Sequence, residues 1–126
     1  MQKEFNRTAT EALRAVSADP GGIYYASAPE VVGQCTTKPI AIGQTPDQLV
    51  PIHQAPLVPP SQCPAQRNQI DSTVLLNGTY PITRRLLVIG KENGQIDQLA
   101  GEAYASLLLT QEGQELLTGS GFVRIQ

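Results

Sequence analysis

Two adjacent arginines, Arg84 and Arg85, are the clearest candidates for chemistry in this chain of 126 residues. A guanidinium can hold an oxyanion through two parallel hydrogen bonds. The pair stands between a turn and an aliphatic run, in the stretch NGTYPITRRLLVIG at residues 77–90. Neighbouring side chains of an extended chain point to opposite faces, so only one arginine can face a given cleft. Ion pairs or a solvated rim explain the pair better than anion binding, and Arg84 is kept as the one candidate anion ligand.

The remaining polar residues do not form a catalytic pattern. His53 is the only histidine, and it stands in a proline-flanked loop without a nearby carboxylate to orient it, so we expect it to face solvent. The eleven acidic residues are dispersed and include no pair at acid–base spacing. One histidine and two cysteines also fall short of the four ligands that a zinc site usually needs. The sequence therefore predicts no enzyme, no metal and no cofactor.

Cys35 and Cys63 lie 28 positions apart in loop-like segments flanked by prolines. They are either two buried thiols or one disulfide. A cross-link between them would remove unfolded-state entropy worth about 3 kcal/mol. We favour the disulfide, which would place the chain in an oxidising compartment, either periplasmic or otherwise extracytoplasmic.

Composition excludes several classes of protein. The net charge is −2 and the nine Lys and Arg residues are scattered, which argues against nucleic acid as a partner. No apolar run reaches the roughly 18 residues that a membrane helix needs. The stretch MQKEFNRTAT has no apolar signal-peptide core, so an export signal, if the protein has one, lies outside this chain.

The helices that would position these residues are predicted by periodicity and caps. Thr8 and Glu11 form a capping-box pattern in front of an apolar stripe, which predicts a helix over residues 9–18. Helical spacing holds over residues 95–108, and Thr110 is a plausible N-cap for a further helix over 111–117. A short helical turn is expected at residues 27–32, whereas residues 71–76 fit a helix or a strand equally well.

Short β-prone runs bounded by turn residues predict strands at 23–26, 38–42, 86–89 and 122–125. Between 44 and 70 the chain is rich in proline, so we expect a long surface loop whose aliphatic residues hug the body. Together these elements predict an α/β fold with a small mixed sheet flanked by helices.

Three stretches carry a resemblance to a known family. They are ALRAVSADPGGIYYAS at 12–27, TYPITRRLLVI at 79–89 and ASLLLTQEGQELLTGSGFVRI at 105–125. In this order they resemble the C-terminal portion of phosphate-type substrate-binding proteins of ABC importers. Tyr24 departs from the pattern, because a glycine usually stands there.

The resemblance implies part of a type 2 periplasmic-binding-protein fold. Residues 1–76, including the loop 44–70, would belong to the second lobe, 77–85 would be the hinge crossover, and 86–126 would return to the first lobe. The residues that match the hinge are Tyr80, Pro81, Ile82, Thr83 and Arg84.

The family holds its oxyanion mainly through an early loop and an Arg-x-Asp-x-Ser-Gly-Thr segment, and that segment does not occur here. No anion ligand is therefore carried over from the family. The resemblance implies a fragment or module of an extracytoplasmic solute-binding protein for phosphate or a related oxyanion, which delivers its ligand to an ABC permease. The alternative is a signalling or interaction module that has lost ligand binding. With a lobe of partner surface absent, self-association through the strand 86–89 is a further expectation.

Overall fold

A computed structural model describes residues 8–125 of the chain. The chain divides into two compact units, Met1–Pro81 and Ile82–Gln126, called unit 1 and unit 2 below. Five α-helices and one 3₁₀ turn, at Pro60–Gln62, make up the regular structure of the described residues. The α-helices are α1 (Ala9–Ala18), α2 (Ala28–Val31), α3 (Ser72–Leu76), α4 (Ile96–Leu108) and α5 (Gln111–Gly119).

The predicted sheet is not present. Within residues 8–125, β pairing is limited to two isolated antiparallel bridges, Ile42 with Val50 and His53 with Ile70. The predicted α/β class, with a small mixed sheet flanked by helices as in part of a type 2 periplasmic-binding-protein fold, is therefore wrong. A strand needs a neighbour about 4.8 Å away to accept its hydrogen bonds. The runs 23–26, 86–89 and 122–125 have the composition of strands without such a neighbour, and of the run 38–42 only Ile42 is paired.

The first helix forms as its sequence predicts. The Glu11 amide donates to Thr8 Oγ1 and the Thr8 amide donates to Glu11 Oε2. Both hydrogen bonds are 3.2 Å long, and together they form the capping box. The helix buries Ala12 and ends at Asp19. The Asp19 side chain then accepts a 2.9 Å hydrogen bond from the amide of Gly21, which fixes the turn that follows.

The core of unit 1 is small and is built largely from loop residues. Ala12, Val32 and Ile52 are its buried apolar side chains. The Ile52 carbonyl accepts from the Asp71 amide at 2.9 Å, so the proline-rich loop is tied to the start of α3. Asp71 also caps α3 by accepting from the Thr73 amide at 2.9 Å, which settles the open choice for residues 71–76 as a helix. Of the aliphatic residues that led us to expect the loop to hug the body, Ile52 is buried, whereas Leu49 is 53% exposed.

Unit 2 is a helical hairpin of α4 and α5. Thr110 caps α5 by accepting from the Gly113 amide at 3.1 Å, as predicted. Gly113 is buried against the end of α4. A Cβ at this position would lie 2.7 Å from Leu108 Cα and would collide with the Leu107 carbonyl oxygen, so the close packing requires glycine. The segment before α4 is open to solvent, since every residue from 82 to 95 is exposed.

Candidate functional site

A disulfide joins Cys35 and Cys63, whose Cα atoms lie 5.7 Å apart, so the predicted cross-link is confirmed. It connects the segment after α2 to the end of the 3₁₀ turn. A second link ties the same two regions, because Arg67 Nη1 donates to the Gly33 carbonyl at 2.9 Å. These two links hold residues 33–35 against residues 63–67.

The segment after α2 and helix α1 line an open groove of about 430 Å³. Its one charged group is the guanidinium of Arg14. The lining residues are Thr10, Leu13, Arg14, Ser17, Ala18, Gln34 and Thr36. Sequence reasoning missed this site because Gln34 and Thr36 stand about twenty positions after Arg14, and no sequence motif indicates that the fold brings them together.

The polar groups of the groove are only partly available to a ligand. Ser17 Oγ donates to the Leu13 carbonyl at 2.8 Å, and Gln34 Nε2 donates to the Glu30 carbonyl at 3.0 Å. Thr10, Arg14 and Thr36 are exposed. A single guanidinium in contact with water gains little from a bound anion, since solvent screens the interaction. The groove therefore gives little support for anion binding, and the sequence motifs did not predict it.

A depression on α5 in unit 2 has the opposite charge. It is lined by Glu112, Glu115, Leu116, Gly119 and Ser120, and its volume is about 520 Å³. The Gln111 side-chain amide donates to Glu115 Oε1 at 3.0 Å. Two carboxylates one helical turn apart repel a phosphate, so this surface does not serve oxyanion binding.

The five predicted hinge residues lie at the boundary between the units. Tyr80 is half-buried and its amide donates to the Val74 carbonyl at 2.9 Å, whereas Pro81, Ile82, Thr83 and Arg84 are exposed. Burial raises the pKa of the Tyr80 hydroxyl, and the neighbouring Tyr25 adds to the effect. The boundary falls between Pro81 and Ile82. The hinge role stays a prediction, as does the role of Arg84 as an anion ligand.

The single histidine, which was predicted to face solvent, is partly exposed. His53 Nδ1 lies 3.0 Å from the carbonyl oxygen of Gln54, and the residue forms its isolated bridge with Ile70. Among residues 8–125, no cluster of three or more His, Cys, Asp or Glu side chains is arranged to hold a metal ion. In the same part of the chain, no helix has both the length and the apolar character required to cross a bilayer.

No family model matches the chain, and neither a curated protein nor a solved structure is significantly similar to it.

Proposed function

We propose that this chain is part of an extracytoplasmic solute-binding protein for phosphate or a related oxyanion, which delivers its ligand to an ABC permease. The three stretches at 12–27, 79–89 and 105–125 motivate the proposal through their order and motifs.

The observation that carries the proposal is the continuous exposure of residues 81–97. This stretch contains the aliphatic run 86–89, in which Leu87 is 73% and Ile89 is 92% exposed. Burying one such side chain stabilises a protein by about 1.5–3 kcal/mol, so an aliphatic run in water favours association with further polypeptide. A chain of this kind fits the role of one part of a larger binding protein.

The disulfide between Cys35 and Cys63 supports the compartment in this proposal. Disulfides persist in secreted and periplasmic proteins and are rare where thiols are kept reduced. The cross-link is compatible with an extracytoplasmic location.

A second candidate function is a signalling or interaction module that is related to these proteins and no longer binds ligand. The observation that favours it is the poor quality of the Arg14 groove, which is open and holds one positive charge. On this hypothesis the exposed run 86–89 would bind a protein partner.

The test begins by reading the coding region on both sides of this chain and expressing the complete polypeptide. Equilibrium dialysis against labelled phosphate is then performed on the complete polypeptide and on this chain alone. We expect saturable binding by the complete polypeptide and none by the chain alone, because the ligand groups lie elsewhere. Labelled sulfate is tested in the same way, and a complete polypeptide that folds but binds neither anion would overturn the leading proposal and favour the second.

If this chain alone binds phosphate, substitution of single arginines shows which residue is responsible. Arg14→Gln removes the charge of the groove, Arg84→Gln removes the ligand suggested by the sequence, and Arg85→Gln is the matched control. Loss of binding in Arg14→Gln or Arg84→Gln, but not in Arg85→Gln, would contradict our placement of the ligand groups outside this chain.

A further inference from the structure

Two asparagines of this chain are each followed by a glycine, at Asn77–Gly78 and at Asn93–Gly94. In such a pair the main-chain nitrogen of the glycine can attack the side-chain carbon Cγ of the asparagine, because glycine has no Cβ to hinder the approach. Both glycines have positive φ angles, 72° for Gly78 and 68° for Gly94, and a Cβ on either would meet nothing within 4 Å. Both pairs are exposed, so access of water does not distinguish them.

We propose that Asn93 modifies itself in the folded protein by losing ammonia to the Gly94 amide, whereas Asn77 reacts much more slowly. A bond forms between Gly94 N and Asn93 Cγ, and the bond between Cγ and Nδ2 breaks. The Gly94 proton passes to a solvent base, and the leaving amide group takes a proton from water to become ammonia. Water then opens the cyclic imide, at Cγ to give aspartate or at the main-chain carbonyl to give isoaspartate.

The Asn77 turn is fixed by hydrogen bonds at the end of α3. The Asn77 amide donates to the Thr73 carbonyl at 3.0 Å, and the Gly78 amide donates to the Leu75 carbonyl at 3.4 Å. Asn77 Oδ1 accepts two more hydrogen bonds from Thr79, from its amide at 3.0 Å and from its hydroxyl at 2.7 Å. The imide ring contains the Cα–C bond of the asparagine, so closing it turns ψ of Asn77 away from −1°. Cyclisation must therefore break the bonds to Thr79 and twist the end of the helix.

The Asn93 turn, in the segment before α4, is held by fewer contacts. Asn93 Oδ1 accepts from the Gln95 amide at 3.0 Å. Among residues 8–125, the main chain of Asn93 makes no hydrogen bond with other main-chain groups. Its carboxamide can therefore turn towards the Gly94 nitrogen with the loss of the bond to Gln95 and without disturbing a helix.

The side chain of Gln98 restrains this reaction. The Gly94 amide donates to Gln98 Oε1 at 2.8 Å, and Gln98 Nε2 donates in turn to Glu102 Oε1 at 2.8 Å. The nitrogen must lose its proton to attack, and hydrogen exchange shows that a hydrogen-bonded amide loses its proton more slowly. Helix α4 therefore controls the rate at Asn93 through one glutamine.

The aspartate product suits this position. The reaction adds one negative charge to a chain whose net charge is −2. The new carboxylate would lie two residues before Gln95, the N-cap of α4, where the positive end of the helix favours an anion. It can still accept the hydrogen bond from the Gln95 amide. We therefore expect the modified chain to remain folded and to carry one more negative charge.

Peptide mapping of the wild-type chain is the first test. Trypsin places Asn93 in the fragment 92–124, where it is the only asparagine, and Asn77 in the fragment 68–84. After incubation of the folded protein at mildly alkaline pH, mass spectrometry should show deamidation at least about fivefold faster at Asn93 than at Asn77. This is about the factor that one net hydrogen bond contributes to an equilibrium. In denaturant with reductant the two sites should react at similar rates, because only the local sequence then acts.

Two results of this mapping would overturn the proposal. One is a folded chain in which Asn93 reacts no faster than Asn77. The other is the same ratio of rates in the folded and the denatured chain, which would show that the fold plays no part.

Gln98→Ala tests the restraint by α4. Removal of the acceptor for the Gly94 amide should raise the rate at Asn93 by about fivefold. Gln95→Ala is the matched control, because its main-chain amide can still donate to Asn93 Oδ1. Asn77 is the internal reference, since a general loss of structure would raise its rate as well. Equal rates at Asn93 in the two variants would refute the role of Gln98. The inference does not rest on the proposed function, because none of these measurements involves an anion.

Discussion

The two units of this chain reach order in opposite ways. Unit 1 is mostly irregular, yet it holds all the buried apolar side chains of the described residues, namely Ala12, Val32 and Ile52. Unit 2 contains the longest helix of the described residues, α4, and the well-capped helix α5. Among residues 82–125, however, only Gly113 is buried. The comparison teaches that strong local helix signals do not by themselves create a core.

The difference lies in the sequence separation of the contacts. Unit 1 is joined by the disulfide, by the Arg67 contact to Gly33 and by the Val58 amide, which donates to Asn68 Oδ1 at 2.8 Å. In unit 2 the hydrogen bond from the Ile125 amide to Gln114 Oε1, which is 2.9 Å long, joins residues only 11 positions apart in the sequence. Helical hydrogen bonds form within a segment, whereas burial requires segments to meet.

The largest expected effect is the loss of the disulfide from unit 1. Replacing Cys35 and Cys63 together by serine frees the loop between them, which should cost about 3 kcal/mol of unfolding free energy. In a unit of this size that corresponds to a fall in melting temperature of more than about 10 °C, measured by circular dichroism. Reductant should lower the melting temperature of the wild type and leave the double variant unchanged. A wild type that is insensitive to reductant would show that the cross-link does not hold unit 1.

The next effect concerns the one tightly packed point of unit 2. Gly113→Ala forces a methyl group against the Leu107 carbonyl and Leu108 Cα, and neither main-chain atom can yield cheaply. We expect a loss of about 1–3 kcal/mol, seen as reduced helical ellipticity and an earlier denaturant midpoint. Gly119→Ala is the matched control in the same helix, because a Cβ there meets nothing within 4 Å. If the two variants behave alike, α4 and α5 are not packed at this point.

The smallest effect tests the irregular loop of unit 1. Asn68→Ala removes the acceptor for the part-buried Val58 amide and should cost about 1 kcal/mol. Gln69→Ala serves as the control, because the exposed Gln69 side chain makes only a 3.4 Å hydrogen bond to the Arg67 carbonyl. Chemical denaturation of both variants gives the difference. No loss in Asn68→Ala would mean that the hydrogen bond from the Val58 amide does not help to hold the loop.

Sequence patterns predicted the helices well because a helix satisfies its hydrogen bonds within one segment. The capping box of Thr8 and Glu11 and the N-cap at Thr110 were both confirmed, and so was the disulfide. The prediction of a sheet was wrong because a strand needs hydrogen-bond partners from another segment. The β propensity of residues 86–89 shows that they would fit between neighbouring strands, but it does not show that such strands exist. The Arg14 groove was not predictable, because its walls come from segments that only the fold brings together.

The distribution of cationic residues makes the closed loop of unit 1 unusually resistant to trypsin. The protease cleaves after lysine and arginine but poorly before proline. Between Arg14 and Arg67 the only such residue is Lys38, and Pro39 follows it. The exposed stretch of unit 2 carries Arg84, Arg85 and Lys91 within eight residues. Brief digestion should therefore cut the chain near the unit boundary and leave uncut the segment between Arg14 and Arg67, which contains the cross-linked loop.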